Sequence, residues 1–394
     1  MGNIEPLILQ GTQFHKKLQM LAIVMIVVGV IGSAVAAVLD LERFLAAYLL
    51  GFVYVAGISV TAVFFSTLQF LARAGWSAGI RRIPEMFAGF IPYLVIGFIP
   101  IIAGMGHIYH HWMHAPADDY IVAHKAVYLN STFFTIRIAL YSVLWYWMYK
   151  FIVGNSFKQD TAEDFGPTKR NLKRAAPFAV IFALTITFFS FDLLMSLEPH
   201  WFSTIWGVYS FAGHFVSTIA MITLFTIALR EGGYLKHVIR EEHYHDLGKL
   251  MFAFTVFWTY CAFSQYFLIW YANMPEETIY FTSRLSNGWE ILGIVNVVLH
   301  FIVPFSLLLR QDVKRKKQLL IFASCVILVS HYIDLAWIIF PAIHGSSFHF
   351  SWQEVVPWIM MVGLFLFVVS MQFAKKNVIP FKDPFFKETL EYHS

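Results

Sequence analysis

The stretch LAAYLLGFVYVAGISVTAVFFSTLQFLARA, residues 45–74, decides the fold. Its one charged side chain is Arg73, near the end. About 20 consecutive apolar residues cross a bilayer as a helix, so this stretch is long enough to span a membrane. Nine further stretches read the same way, near 17–38, 84–110, 126–152, 175–197, 201–229, 249–273, 286–309, 317–341 and 353–374. The expected fold is an all-α polytopic membrane protein of ten transmembrane helices, a single membrane domain over 1–394.

Composition agrees. The 394 residues are 58% hydrophobic and 13% charged, with a mean hydropathy of +0.64, where soluble domains carry about 25% charged residues. The longest connection, about 153–174, is too short for an extramembrane domain. Such an enzyme domain, a nucleotide-binding domain and a disulfide scaffold are therefore excluded, and no nucleic-acid partner is expected. Cys261 and Cys325 both fall inside spans, and two thiols do not hold an iron–sulfur cluster alone.

Assigning alternate connections to opposite sides places 24 Lys and Arg residues on one side and only Arg43, Lys125 and Arg284 on the other. The positive-inside rule then puts both termini in the cytoplasm. The remaining basic residue, Arg137, lies within a span.

Span 45–74 also has a counterpart. Gly51-x4-Ala56-Gly57 with Ala72 matches Gly207-x4-Ala212-Gly213 with Ala228, at a constant offset of 156. Met-Phe-Ala recurs at 86–88 and 251–253, and Pro116 with Asp118-Asp119 is matched by Pro275 with Glu276-Glu277. Asp192-Leu193 precedes Pro199 by the same spacing that separates Asp334-Leu335 from Pro341. These matches describe two parallel four-helix units, 45–197 and 201–341. Segments 1–44 and 342–394 supply flanking helices and cytoplasmic termini. Some secondary transporters also carry parallel repeats, so a transporter is one alternative function.

A charge in hydrocarbon costs at least about 2.5–3.5 kcal/mol and is by default a functional hypothesis. The candidates for a proton path are Arg137, Asp192, His214, Glu290, His331 and Asp334, with His300 as a further buried imidazole. Arg137, His214, His300 and His331 are expected near mid-depth. Asp192, Glu290 and Asp334 are expected nearer the periplasmic side. Arg137 with Asp192 reads equally as a structural ion pair between adjacent spans. His331 and Asp334 lie three apart on one face and could bond locally.

The pairs His200/His214 and His331/His344 have spacings that bis-histidine haem proteins use, so a b-type haem cytochrome is a second alternative. Against it, His200 follows Pro199 at a helix entrance, and His344 is expected past Pro341 in a Gly-Ser-Ser turn. His107, His110, His111 and His114 would share one helical face. They suit a metal or an interfacial aromatic belt.

Two segments on the side poor in basic residues, MSLEPHWFST (195–204) and FSQYFLIWYANMPEET (263–278), gather Glu198, His200, Gln265, Asn273, Glu276 and Glu277. These segments resemble the paired signatures of the NrfD-like, polysulfide-reductase-type membrane subunits of Alternative Complex III, a bacterial quinol:electron-acceptor oxidoreductase. The chain's modest length is most like the F subunit. The resemblance implies two four-helix bundles with flanking helices in the bacterial inner membrane, and no redox centre in this chain. It implies a quinol or menaquinol substrate of the complex, with haem c and iron–sulfur clusters in partners. Those partners are a homologous C-type membrane subunit, a periplasmic iron–sulfur B-type subunit, multihaem cytochrome subunits and small membrane subunits, all in lipid. The resemblance places quinol oxidation mainly in the C-type subunit and implies proton conduction or structural pairing for the F subunit, and no quinol-ligating set of residues carries over.

Overall fold

The computed structural model describes residues 6–345 and 348–392, which are helical with no strand among them. Ten long elements follow in order: α1 (Gln13–Leu39), α2 (Leu41–Leu71), α3 (Arg82–Ala103), α4 (Ser131–Met148), α5 (Gly166–Leu193), α6 (Trp206–Glu231), α7 (Glu241–Ala272), α8 (Glu290–Leu308), α9 (Lys317–His344) and α10 (Trp352–Lys375). Among the described residues, nine of these are long and apolar enough to cross a membrane. The exception is α4, whose hydropathy is lowered by Arg137, Tyr141, Trp145, Tyr146 and Trp147. Beyond Met148 it continues through a π-helical turn, Tyr149–Val153, into Gly154–Gln159. A second π-helical turn, Val297–Ile302, interrupts α8.

Local chemistry sets the helix ends. Side-chain oxygens of Asp40 and Asn130 accept from the backbone N–H of Arg43 (3.1 Å) and Phe133 (2.8 Å), capping α2 and α4. Ser351 and Glu354 form a reciprocal capping box on α10. Asn273, left-handed at φ 48°, closes α7 before Pro275 opens the short helix Pro275–Arg284.

The core is built around α2 and α6, which are almost wholly buried. Their hydroxyls are satisfied by the preceding turn, as in Thr67 to Val63 O (2.8 Å) and Ser217 to Gly213 O (2.8 Å). Thr61 and Thr218 join the two helices, hydroxyl to hydroxyl, at 2.6 Å. Apolar side chains such as Val24, Val28 and Ile31 face outward, as expected where the surrounding solvent is lipid. Small residues allow the closest approaches. On α1, a Cβ at Gly29 would lie 2.5 Å from the backbone of Met360 on α10.

Both chain ends meet at one end of the bundle. Leu9 N donates to Phe373 O (3.1 Å) and Val378 N to Leu7 O (2.9 Å). The same end holds Arg81 and Arg82, paired with Asp383 and Asp160. The opposite end holds Asp119 with His200 and Arg284 with Glu198.

Candidate functional site

In the first half of the chain, Arg137 on α4 meets Asp192 at the end of α5. Arg137 Nε lies 2.9 Å from Asp192 Oδ2 and Nη2 lies 2.9 Å from Oδ1, while Tyr141 donates to Oδ2 at 2.6 Å. Tyr128 stacks beneath the guanidinium at 3.8 Å. The pair is fully neutralised and buried. Arg137 is level with Asp192, about 9 Å from the start of α4 at 1.5 Å per residue, rather than at mid-depth. The reason is that α4 starts at Ser131 and not near 126.

The second half places a different set around Asp334. Asp334 on α9 accepts from Tyr209 on α6 and from Asn296 Nδ2 on α8 (2.8 Å). Both donors engage Oδ1, and no ion pair involves Asp334 among the described residues. One turn toward the end rich in basic residues, His331 Nε2 meets His214 Nδ1 at 2.9 Å. Beyond them His300 stacks on Trp258, centroids 3.8 Å apart. Among the described residues His214 Nε2, His331 Nδ1 and both nitrogens of His300 make no hydrogen bond, although all three rings are buried. Three imidazoles and an acid without a cation thus line one polar core. His331 and Asp334 each turn to another helix rather than to one another.

Gly57 makes this arrangement possible. A Cβ there would stand 2.2 Å from His214 Nδ1, so only glycine on α2 leaves room for the imidazole.

Glu290 does not join the core. It is the first residue of α8, and its carboxylate accepts from Gly288 N at 2.8 Å, a local helix-start contact. The residues of the two signature segments spread over the end poor in basic residues. Glu198 pairs with the buried Arg284 (3.1 Å), whose Nη2 also donates to Ile338 O (2.8 Å). His200 pairs with Asp119 (2.8 Å), and the Val122 N–H beside Asp119 holds that carboxyl below its usual range. Gln265 Oε1 accepts from Ser203 (3.0 Å). Asn273 serves as a helix terminator, and in the first turn of the helix that Pro275 opens Glu276 is exposed and Glu277 half-buried.

The histidine run does not form one face. The chain breaks at Tyr109 (φ −111°, ψ 36°) between Met105–Ile108 and His110–Met113, and Tyr109 is buried with its hydroxyl on Leu193 O (3.2 Å). Only His110 and His111 stack, at 4.0 Å, and burial together with His110 pulls His111 downward in pKa. No group of three or more His, Cys, Asp or Glu shaped for a metal ion occurs among the described residues. A haem does not fit the histidine pairs either. His214 and His331 bond directly, which leaves no room for an iron between them, and His200 is held by Asp119. His344 ends α9, which runs on through Pro341 rather than turning there; Ser346 and Ser347 of the expected turn lie outside the described residues.

One cluster escaped sequence reading. At the end rich in basic residues, Arg81 and Arg82 share three acids. Arg82 meets Glu85 (3.0 Å) and Asp160 (2.7 Å), and Arg81 meets Glu85 (3.6 Å) and Asp383. Burial pushes the Asp160 carboxyl up to about 6, against the pull of Arg82. The run Arg81-Arg82 with Glu85 one turn on was a detectable signal, but the other two acids, Asp160 and Asp383, are far away in the sequence. No protein-family model and no curated protein matches this chain.

Proposed function

We propose that the chain is an integral membrane subunit of a quinol:cytochrome c, or other periplasmic-acceptor, oxidoreductase. In this reading it conducts protons and holds no redox centre. The observation that carries the proposal is Asp334, a buried acid with donors but, among the described residues, no cation, set beside three imidazoles with ring nitrogens that bond to none of those residues. A buried acid of this kind can take up and release a proton. Asp334 Oδ2, untouched by Tyr209 and Asn296, is the oxygen that would carry it. The His214–His331 bond offers the next step toward the opposite end. Arg137–Asp192 is the neutralised counterpart, and we read it as a structural lock.

The complex is inferred from the signature segments at 195–204 and 263–278. Haem c and iron–sulfur clusters then belong to partner subunits, and the location is the bacterial inner membrane. Ten crossings are supported by parity. The segments before α1 and after α10 meet at one end of the bundle, which favours an even number, and in this reading α4 with its continuation to Gln159 is the tenth. Two repeated four-helix units are supported by the paired central helices α2 and α6 and by π-helical turns in both α4–Gln159 and α8. The side rich in basic residues would be cytoplasmic.

The test is Asp334→Asn in the complex purified with its partners and reconstituted in vesicles. The rate of proton transfer should fall at least about tenfold, a barrier increase near 1.4 kcal/mol. Unchanged proton transfer, or a preparation lacking any multihaem or iron–sulfur partner, would overturn the reading.

A further inference from the structure

Near its start α5 carries Arg170, Lys173 and Arg174. Spacings of three and four residues put them on one helical face, where like charges repel. Among the described residues, none of the three makes an ion pair or a side-chain hydrogen bond. Two acids of the adjoining connection are engaged elsewhere. Asp160 pairs with Arg82 (2.7 Å), and Asp164 accepts from Gly166 N (3.1 Å). Glu163 is exposed and joins no ion pair among the described residues. Between α8 and α9, on the same side, the basic residues are matched: Arg310 and Lys316 meet Asp312, and Lys317 meets Glu231. The cluster on α5 has no such counter-charge from its own chain.

Geometry sets this cluster at the edge of the membrane. The Arg174 guanidinium lies over the Phe151 ring at 4.5 Å, so it is held on the seam between α4 and α5 rather than extended into water. Phe151 is about 30 Å along the helix from Ser131 at 1.5 Å per residue, the thickness of bilayer hydrocarbon. One turn deeper, Trp147 packs edge-on against Phe178 with centroids 4.9 Å apart. Toward the membrane centre the face of α5 continues through Leu184 and Phe188, and α4 adds Leu140 and Trp147, all four exposed. An apolar stripe thus runs up to a knot of unpaired cations. An acyl chain alone would cover the stripe and leave the cations, and a free anion would do the reverse. An amphiphile with an anionic head meets both needs. A zwitterionic lipid brings its own cation to the cluster and loses that advantage.

We propose that the seam of α4 and α5 binds an anionic phospholipid of the leaflet on the side rich in basic residues. Arg170, Lys173 and Arg174 hold its phosphate, and an acyl chain lies along Trp147 and Leu184. The inference takes the membrane crossing of both helices from the reading above and is independent of proton conduction.

The test uses the full-length chain in phosphatidylcholine nanodiscs that contain a small fraction of phosphatidylglycerol with a photoreactive diazirine on its acyl chain. Peptide mapping by mass spectrometry should find label on peptides covering 140–151 and 177–188. Phosphatidylcholine carrying the same diazirine should label them several-fold less, and excess inorganic phosphate should not displace the phosphatidylglycerol. Lys173→Gln and Arg174→Gln should each weaken labelling about fivefold, the effect of one basic residue at an anionic membrane surface. Lys16→Gln, on another helix of the same side, should leave it unchanged. A melting temperature within a few degrees of wild type identifies the folded variants, and Lys173, being exposed, keeps the test open if Arg174→Gln does not fold. Equal labelling by the two lipids, label outside these peptides, unchanged labelling in the folded variants, or displacement by inorganic phosphate would overturn the proposal. Labelling needs neither partner subunits nor turnover, so it can fail while the Asp334→Asn result stands, and the reverse.

Discussion

The imidazoles of His214 and His331 meet at right angles, Nδ1 to Nε2 at 2.9 Å, across the seam between α6 and α9. One ring must donate and the other accept, so the pair shares a single proton on that line. Each ring keeps its second nitrogen without a hydrogen bond among the described residues, within the buried core.

Gly57 sets this contact, and Gly57→Ala tests it. The added methyl would stand 2.2 Å from His214 Nδ1 and must push the ring off His331. Overpacking of this kind costs about 1–3 kcal/mol. Thermal unfolding should show that loss together with reduced proton transfer in the reconstituted complex. Gly154→Ala meets nothing within 4 Å and should leave both unchanged, or slightly raise the melting temperature.

Arg137 and Asp192 should behave as a unit. Removing one partner leaves a buried charge uncompensated, at a cost of about 3–5 kcal/mol. Arg137→Met and Asp192→Asn are each expected to destabilise strongly, and the double variant to recover most of the loss. A double-mutant cycle by denaturant unfolding checks it; additive losses would show that the two are not coupled. Asp334→Asn, which has no cation to strand, should cost less stability than Asp192→Asn.

Asp160 predicts a pH dependence. Its folded value near 6 exceeds the roughly 3.9 of an unperturbed aspartate, so the folded state binds the proton more tightly. The associated stabilisation is complete below about pH 4 and is lost as pH rises through about 6. Hydrogen exchange in the segment around Asp383 should therefore be slower at pH 5 than at pH 7.5, after correction for intrinsic rates. Asp160→Asn should flatten that difference.

Most of the fold was legible because lipid demands long apolar runs, and segments such as 45–74 satisfy that demand on their own. Element boundaries moved where side chains acted locally, as at Asn130, which starts α4 later than its apolar run suggests. The site was legible as a set of unusual residues but not as pairs. Arg137 with Asp192 came from adjacent spans and could be foreseen. Tyr209 and Asn296 could not, because a hydroxyl and an amide in a span carry no distinctive signal until Asp334 is folded against them. Glu290 misled for the opposite reason: a carboxylate near an apolar run also serves at a helix start.

Gly29 predicts how the outer pair is held. Gly29→Leu would drive its side chain into the backbone of Met360, and Gly32 faces Val356 just beyond. The variant should separate α1 from α10 and lower the melting temperature in thermal unfolding. An unchanged melting temperature would show that this contact does not hold the pair.

The pairing of α1 with α10 also bears on biogenesis. α1 finds its main neighbour in α10, with α2 to α9 lying between them in the chain. Until α10 has been made, the Gly29–Gly32 face must wait in lipid or against an insertion factor. A nascent chain stopped before residue 352 would present that bare stripe to the cell's quality control.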